Sequence, residues 1–227
     1  MKENFQHFAE MIHVTKKYEG PHGGTLALNN VSFDATPGEL ILLLGPSGSG
    51  KTTFLTLLAG MQGPSSGEVY LFGKQTKEYS QKELQLIRST RIGFIFQTFL
   101  LLDSLTVIQN VMLVQRFAGV SKDESRTIAL EYLTRFGVEK LSDSYPTMIS
   151  QGEKQRVAVA RALVNNADLI VADEPTGSLA TLQGMEIIDF LKKSAVEDNR
   201  CVVITSHDER IIQKADRVLY IRDGELT

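Results

Sequence analysis

A chain of 227 residues, 42% hydrophobic and 22% charged, has the composition of an ordinary globular protein with room for one sizeable core, and disorder is not indicated. Its formal net charge of −3, with no lysine or arginine block, argues against a dedicated nucleic-acid surface. The longest apolar runs, such as Leu40 to Leu44 and Phe99 to Leu102, fall far short of the roughly 20 residues a membrane-spanning helix needs, so any membrane role is borrowed from a partner.

The N-terminus Met1-Lys2-Glu3-Asn4-Phe5 carries an acid and no extended apolar segment, which leads to the expectation of a cytosolic chain. Met11 to Val14 and Thr25 to Phe33 read as two short strands around the turn-forming stretch Glu19 to Gly24, a β-hairpin. Tyr18, which follows the first strand after Lys16-Lys17, is equally a half-buried strand tyrosine or a ring placed to stack on a nucleobase.

Next, the apolar run Leu40 to Leu44 leads into Gly45-Pro46-Ser47-Gly48-Ser49-Gly50-Lys51-Thr52, and Thr53-Phe54-Leu55-Thr56-Leu57-Leu58 follows. Strand, glycine loop and helix in that order make a phosphate-binding loop: the glycines let backbone N–H groups converge on phosphate oxygens, and the helix presents its positive end. Lys51 is placed to reach the β- and γ-phosphates and the Thr52 hydroxyl to ligate Mg²⁺. A plain Gly/Ser turn accounts for the glycines but not for the Lys-Thr pair.

Gly67 to Gly73 reads as a strand returning to the first hairpin, Gln81 to Arg88 as a helix, and Arg91 to Gln97 as a β-rich run that leaves Gln97 at a strand's end. There its amide oxygen can touch Mg²⁺ or an attacking water, or simply begin a loop. Helical spacing then appears in Val107 to Val114 and in Ile128 to Phe136, with Ser121 as an N-cap. Ser150 with Glu153 forms a capping box at the start of another helix; the same geometry also makes an anion site, but on local grounds the cap is favoured.

Asp168 to Pro175 is an apolar strand ending in the adjacent acids Asp173 and Glu174. Its unbroken apolar character is that of a buried parallel strand, and acids at such a strand's C-terminal end lie where ligands bind. Asp173 can hold Mg²⁺, while strand alternation points Glu174 the other way, able to polarise a water. Cys201 to Thr205 is a further apolar strand, whose lone cysteine reads as a buried thiol; it ends at Ser206-His207-Asp208. Taken alone, His207 is a loop histidine. Arg217 to Leu226 is a hairpin turning at Asp223-Gly224.

Together and in this order, the stretches resemble the ATP-binding subunit of ABC transporters over nearly the whole chain. The resemblance implies one domain over 1–227: a P-loop NTPase α/β core with a mainly parallel sheet, an antiparallel β subdomain and a helical insert near 98–165. Tyr18 falls at the adenine-stacking position, Gly45 to Thr52 at the Walker A loop with Thr53 beside it, Gln97 at the glutamine loop, and Ser150 and Gly152 in the signature. Asp173 falls at the Walker B aspartate, Glu174 at the catalytic glutamate and His207 at the switch histidine. The implied cofactors are ATP and Mg²⁺. The implied partners are a second copy or a homologous ATP-binding subunit, and a transmembrane permease that holds the chain on the cytoplasmic face of the membrane. Ala172 to Gly177 and Phe96 to Leu101 are most similar to the lipoprotein-releasing and macrolide-export branch. A non-transporting regulatory or mechanical ABC ATPase is the alternative. Two departures stand out: Gln151 and Glu153 replace the usual glycine and glutamine of the signature, and Ala180 replaces an aspartate.

Overall fold

The strands that read as unbroken apolar runs form the interior of a parallel sheet in the computed structural model, which describes residues 5–20, 24–177 and 181–227. The chain begins with β1 (Ala9–Tyr18) and β2 (Thr25–Ala35), then β3 (Leu40–Leu44), α1 (Lys51–Leu58), β4 (Ser66–Leu71) and β5 (Lys74–Gln75). It continues through α2 (Gln81–Thr90), β6 (Ile92–Ile95), α3 (Val107–Phe117), α4 (Lys122–Arg135) and α5 (Gln151–Leu163). The last elements are β7 (Leu169–Asp173), α6 (Thr181–Glu197), β8 (Cys201–Ser206), β9 (Arg217–Arg222) and β10 (Glu225–Leu226).

Among the described residues the strands form two sheets. One is antiparallel, in the order β2-β1-β4-β5; the other runs β10-β9-β3-β8-β7-β6 and is parallel except for the β9/β10 hairpin. Asp223 and Gly224 both have positive φ at that hairpin, as a two-residue turn matched to strand twist requires. The large sheet is a wall between two cores. Successive side chains of a strand face opposite ways: Leu40, Leu42 and Leu44 pack with α3, α4, α5 and α6, whereas Ile41 and Leu43 pack with α1 and the antiparallel sheet. Burial on both faces is why these strands carry no polar alternation.

The helices start where the sequence offers a cap. Ser80, Thr106, Ser121 and Ser150 each accept a hydrogen bond from the backbone N–H three residues on, satisfying a donor that the first helical turn leaves open. The C-terminal ends of β3, β8, β7 and β6 lie side by side, with Leu44 beside Ser206, Asp173 beside Thr205 and Ile95 beside Ala172. Every loop that leaves this edge therefore opens into the same space.

Candidate nucleotide site

Two constraints shape the glycine loop. At Gly45 a Cβ would sit 2.3 Å from the Ile221 carbonyl oxygen, because the loop leaves β3 directly against β9. At Gly50 φ is +106°, and a Cβ would sit 2.4 Å from the Ala27 oxygen; only glycine accepts both conditions. Gly50 is also the N-cap of α1, which has no side-chain cap and no acid in its first turn. The donors that Ser80, Thr106, Ser121 and Ser150 satisfy at other helices are thus left at α1 to face the cavity, with the positive end of the helix dipole behind them. Lys51 Nζ donates to the carbonyls of Gly45 at 2.8 Å and Pro46 at 2.9 Å. Ser49 Oγ is buried without a hydrogen-bond partner.

Across the loop stand the acids. Asp173 Oδ2 accepts from the Thr52 hydroxyl at 2.7 Å, and Oδ1 accepts from Thr205 at 2.7 Å. Glu174 departs from the expectation that it would point away from Asp173: both carboxylates line one cavity. The strand ends at Asp173 and Glu174 has φ +49°, so the alternation that would have separated them no longer applies. The Glu174 backbone N–H is held by the Thr205 carbonyl at 3.1 Å and the Thr205 hydroxyl at 3.2 Å. Its side chain lies between Lys51 and His207: Oε1 is 4.0 Å from Lys51 Nζ, and Oε2 is 2.9 Å from His207 Nδ1 but is not aligned for a hydrogen bond. Beyond His207, Asp208 is gripped by the Arg210 guanidinium, which holds the carboxyl below its usual range against the opposing effect of burial.

The cavity has a volume of ≈ 550 Å³, and Ser47, Gly48, Gly50, Lys51, Thr52 and Thr53 form its phosphate-loop side. Gln97, Asp173, Glu174 and His207 close the far side and Tyr18 stands at the rim. Tyr18 is 40% exposed, and its hydroxyl donates to Gln62 Oε1 at 3.0 Å. Ser150 and Gly152 are not part of this lining; Ser150 caps α5, and its N–H and hydroxyl bonds hold the Glu153 carboxyl below its usual range. Ala180 lies outside the described residues. Sequence reading did not find Thr25, Leu26 and Ala27, which line the cavity from β2, nor Thr205; the only signal for the former was their place across the hairpin from Tyr18.

A parallel α/β sheet whose strand ends deliver a glycine loop with a Lys-Thr pair and an acid facing that threonine defines a P-loop nucleoside triphosphatase. The family described as ABC transporter matches residues 28–177; the chain belongs to it and is an ATPase of its ATP-binding type. It is 40% identical over 221 residues to the uncharacterized ABC transporter ATP-binding protein MJ0796 of Methanocaldococcus jannaschii, covering 96% of this chain and 94% of that one. The dimeric structure of MJ0796 in a post-hydrolysis state, bound to ADP and Pi, has a TM-score of 0.91 at 38% identity over 96% of both chains. The putative hemin import ATP-binding protein HrtA of Staphylococcus haemolyticus is 38% identical over 96% of this chain and 98% of its own. The macrolide export ATP-binding/permease protein MacB of Hahella chejuensis is 39% identical over 88% of this chain, which spans 30% of MacB.

Proposed function

We propose that the chain is the Mg²⁺-dependent ATP-hydrolysing subunit of a membrane transporter of the export or lipoprotein-release type, and that two such subunits close on two ATP molecules. Residues 1–227 act as a single ATP-binding domain in this reading, with 98–165 as the helical insert. The observation that carries it is the 2.7 Å bond between Thr52 and Asp173 at the uncapped start of α1. The donor set fits the metal: a hydroxyl, a carboxylate and the Gln97 amide offer only oxygen. Mg²⁺ takes one or two protein carboxylates and leaves its remaining positions to phosphate and water. Among the described residues no cluster of three or more His, Cys, Asp or Glu groups is placed to cage an ion, which suits a metal held jointly with its nucleotide.

When bound, the metal would neutralise charge on the β- and γ-phosphates. Lys51 exchanges its two loop carbonyls for phosphate oxygens, and the α1 N–H groups add donors that need no reorganisation during reaction. Glu174 accepts a proton from, or orients, the attacking water, and His207 steadies that water and the γ-phosphate. Tyr18 stacks on the adenine. Ser150 and Gly152, absent from their own chain's cavity, complete the cavity of the opposite subunit. That subunit is a second copy or a homologue.

Among the described residues no helix is long and apolar enough to cross a membrane, and the name of MacB joins an ATP-binding part to a permease. A permease from another chain would hold this subunit at the cytoplasmic face. Relatives named for export and for import are about equally similar; in this reading the permease selects the cargo and this chain supplies the work.

Glu174→Gln tests the reading, since it keeps size and removes the proton-accepting charge. With ATP and Mg²⁺ the variant should elute as a stable dimer, and with ADP as a monomer. Adding Ser150→Arg should return it to monomer while nucleotide still binds. A double variant that dimerises as well as the single one would sink the shared-site reading.

A further inference from the structure

The segment after Gln97 is held in an unusual way. Phe99 and Leu100 are consecutive non-glycine residues with φ of +61° and +47°, and the Leu100 N–H closes a three-residue turn onto the Thr98 carbonyl at 2.7 Å. Left-handed side-chain-bearing residues persist only where their surroundings over-determine them. Here the Phe99 N–H is held by the Phe96 carbonyl at 3.1 Å and its ring is buried, and a guanidinium takes both carbonyls: Arg161 of α5 donates from Nη1 to the Leu100 carbonyl at 2.6 Å and from Nη2 to the Phe99 carbonyl at 2.5 Å. Burial pulls Arg161 down to about 10, so it stays charged at neutral pH.

A second side chain grips the other end. Asn110 of α3 has no solvent exposure. Its Oδ1 accepts from the Leu102 N–H at 2.7 Å, and its Nδ2 lies 3.1 Å from the Leu102 and Leu105 carbonyls and 3.0 Å from that of Thr106. Between them, two side chains from two helices take up the Leu102 N–H and the carbonyls of Phe99, Leu100, Leu102 and Leu105, beside the segment's own turn bonds. Gln97, two residues before Phe99, stands in the nucleotide cavity.

We propose that Arg161 and Asn110 are positioning residues for Gln97: they fasten the segment behind it to α5 and α3 and so hold the Gln97 side chain in the nucleotide cavity. The proposal rests on the reading of Gln97 as a residue that contacts metal or water in ATP hydrolysis. Arg161→Lys keeps the charge but cannot fork onto two carbonyls. Asn110→Ala removes the second grip.

The 227-residue chain and its Arg161→Lys, Asn110→Ala and Gln97→Ala variants are compared in turnover at saturating ATP, in the Mg²⁺ concentration for half-maximal rate, and in binding of a fluorescent ATP analogue in EDTA. Each clamp variant should lose roughly tenfold or more in turnover, as small misplacements of a site residue do. Each should also need more Mg²⁺ while binding the analogue within about twofold of the parent. Combined with Gln97→Ala, neither should lose more than Gln97→Ala alone, because groups acting through one another are non-additive. Additive losses, parent-like turnover in Arg161→Lys, or losses that track analogue affinity overturn the clamp. Parent-like turnover in Gln97→Ala overturns the reading of Gln97, and the clamp with it. Should a clamp variant not fold, amide exchange on the parent decides: Leu102 should be protected like the interior of α3, and exchange at the rate of open loop refutes the attachment.

Discussion

Thr205 fixes Asp173 from the next strand: its hydroxyl donates to Oδ1 at 2.7 Å, at a position with no solvent exposure, while Oδ2 is taken by Thr52. Both carboxylate oxygens are thereby oriented, and the same hydroxyl receives the Glu174 N–H. Thr205→Val preserves the shape, removes the Asp173 Oδ1 partner and leaves the Glu174 N–H only the backbone carbonyl at position 205. It should cost about 1.5–3 kcal/mol of unfolding free energy, the range for a hydrogen bond to a charged group, and slow turnover with little change in nucleotide affinity. Urea unfolding and steady-state ATPase assays check this, with Thr205→Ser expected to recover most of both losses. A valine variant with the parent's stability and rate would show that Asp173 needs no second anchor.

At the rim, Tyr18 separates ring from hydroxyl. Tyr18→Ala should weaken ATP binding by about 1 kcal/mol or more, as loss of an aromatic platform beneath a base does. Tyr18→Phe gives up the exposed bond to Gln62 and a longer contact to Thr53 Oγ1 at 3.4 Å, and exposure keeps that loss at or below about 0.5 kcal/mol, the low end for a hydrogen bond. Titration calorimetry on both variants distinguishes them; equal losses would move the effect from the ring to the Gln62 contact.

Gly45 and Gly48 differ in what a methyl group meets. At Gly45 it would strike the Ile221 oxygen at 2.3 Å and Ser49 Oγ at 2.7 Å, whereas at Gly48 nothing lies within 4 Å and only the φ of +79° objects. Gly45→Ala should therefore displace β9 at an overpacking cost of about 1–3 kcal/mol, and Gly48→Ala should cost about 1 kcal/mol from its left-handed backbone alone. Thermal melts without nucleotide give the order. A larger cost at Gly48 would contradict it.

An ionic tie joins the two sheets: Arg217 of β9 donates to Asp34 Oδ2 of β2 at 2.9 Å and to Glu39 Oε2 at 3.3 Å. Burial pushes the Asp34 carboxyl up, but the Arg217 bond and charge, with Thr36 and His7, outweigh it and hold the group below its ordinary value. A depressed carboxylate contributes stability that is fully present above its unfolded value, near pH 3.9, and is lost as pH falls through the folded one. The stability difference between parent and Asp34→Asn should be constant from about pH 5 to 8 and shrink below about pH 4. Urea midpoints across that range measure it; a difference that grows in acid would reverse the sign.

The apolar runs of β3, β7 and β8 were legible because strands buried on both faces have no polar positions to hide them, and the caps at Ser121 and Ser150 were legible because capping is local. Less local facts left weaker marks. Glu174 was expected to point away from Asp173 because strand alternation is readable in sequence and a positive φ at a strand's end is not. Thr205, Asn110 and Arg161 act through bonds spanning 32, 8 and up to 62 residues, and no periodicity advertises such partners. The boxes at Ser80-Glu83 and Thr106-Gln109, and the apolar positions Ile187, Ile188, Leu191 and Ala195 of α6, carried usable local patterns that went unread.

Helix α1 is eight residues long and begins without a side-chain cap, well below the length at which an isolated helix holds in water. In the proposed reading, the molecule that completes its first turn is the one the protein consumes. Phosphate occupancy and the ordering of this loop and helix are then linked, and at a hundred times the dissociation constant the linkage adds about 2.7 kcal/mol to stability. Without nucleotide, the loop from Gly45 to Lys51 should become more open to proteases, a change that limited digestion with and without nucleotide would reveal.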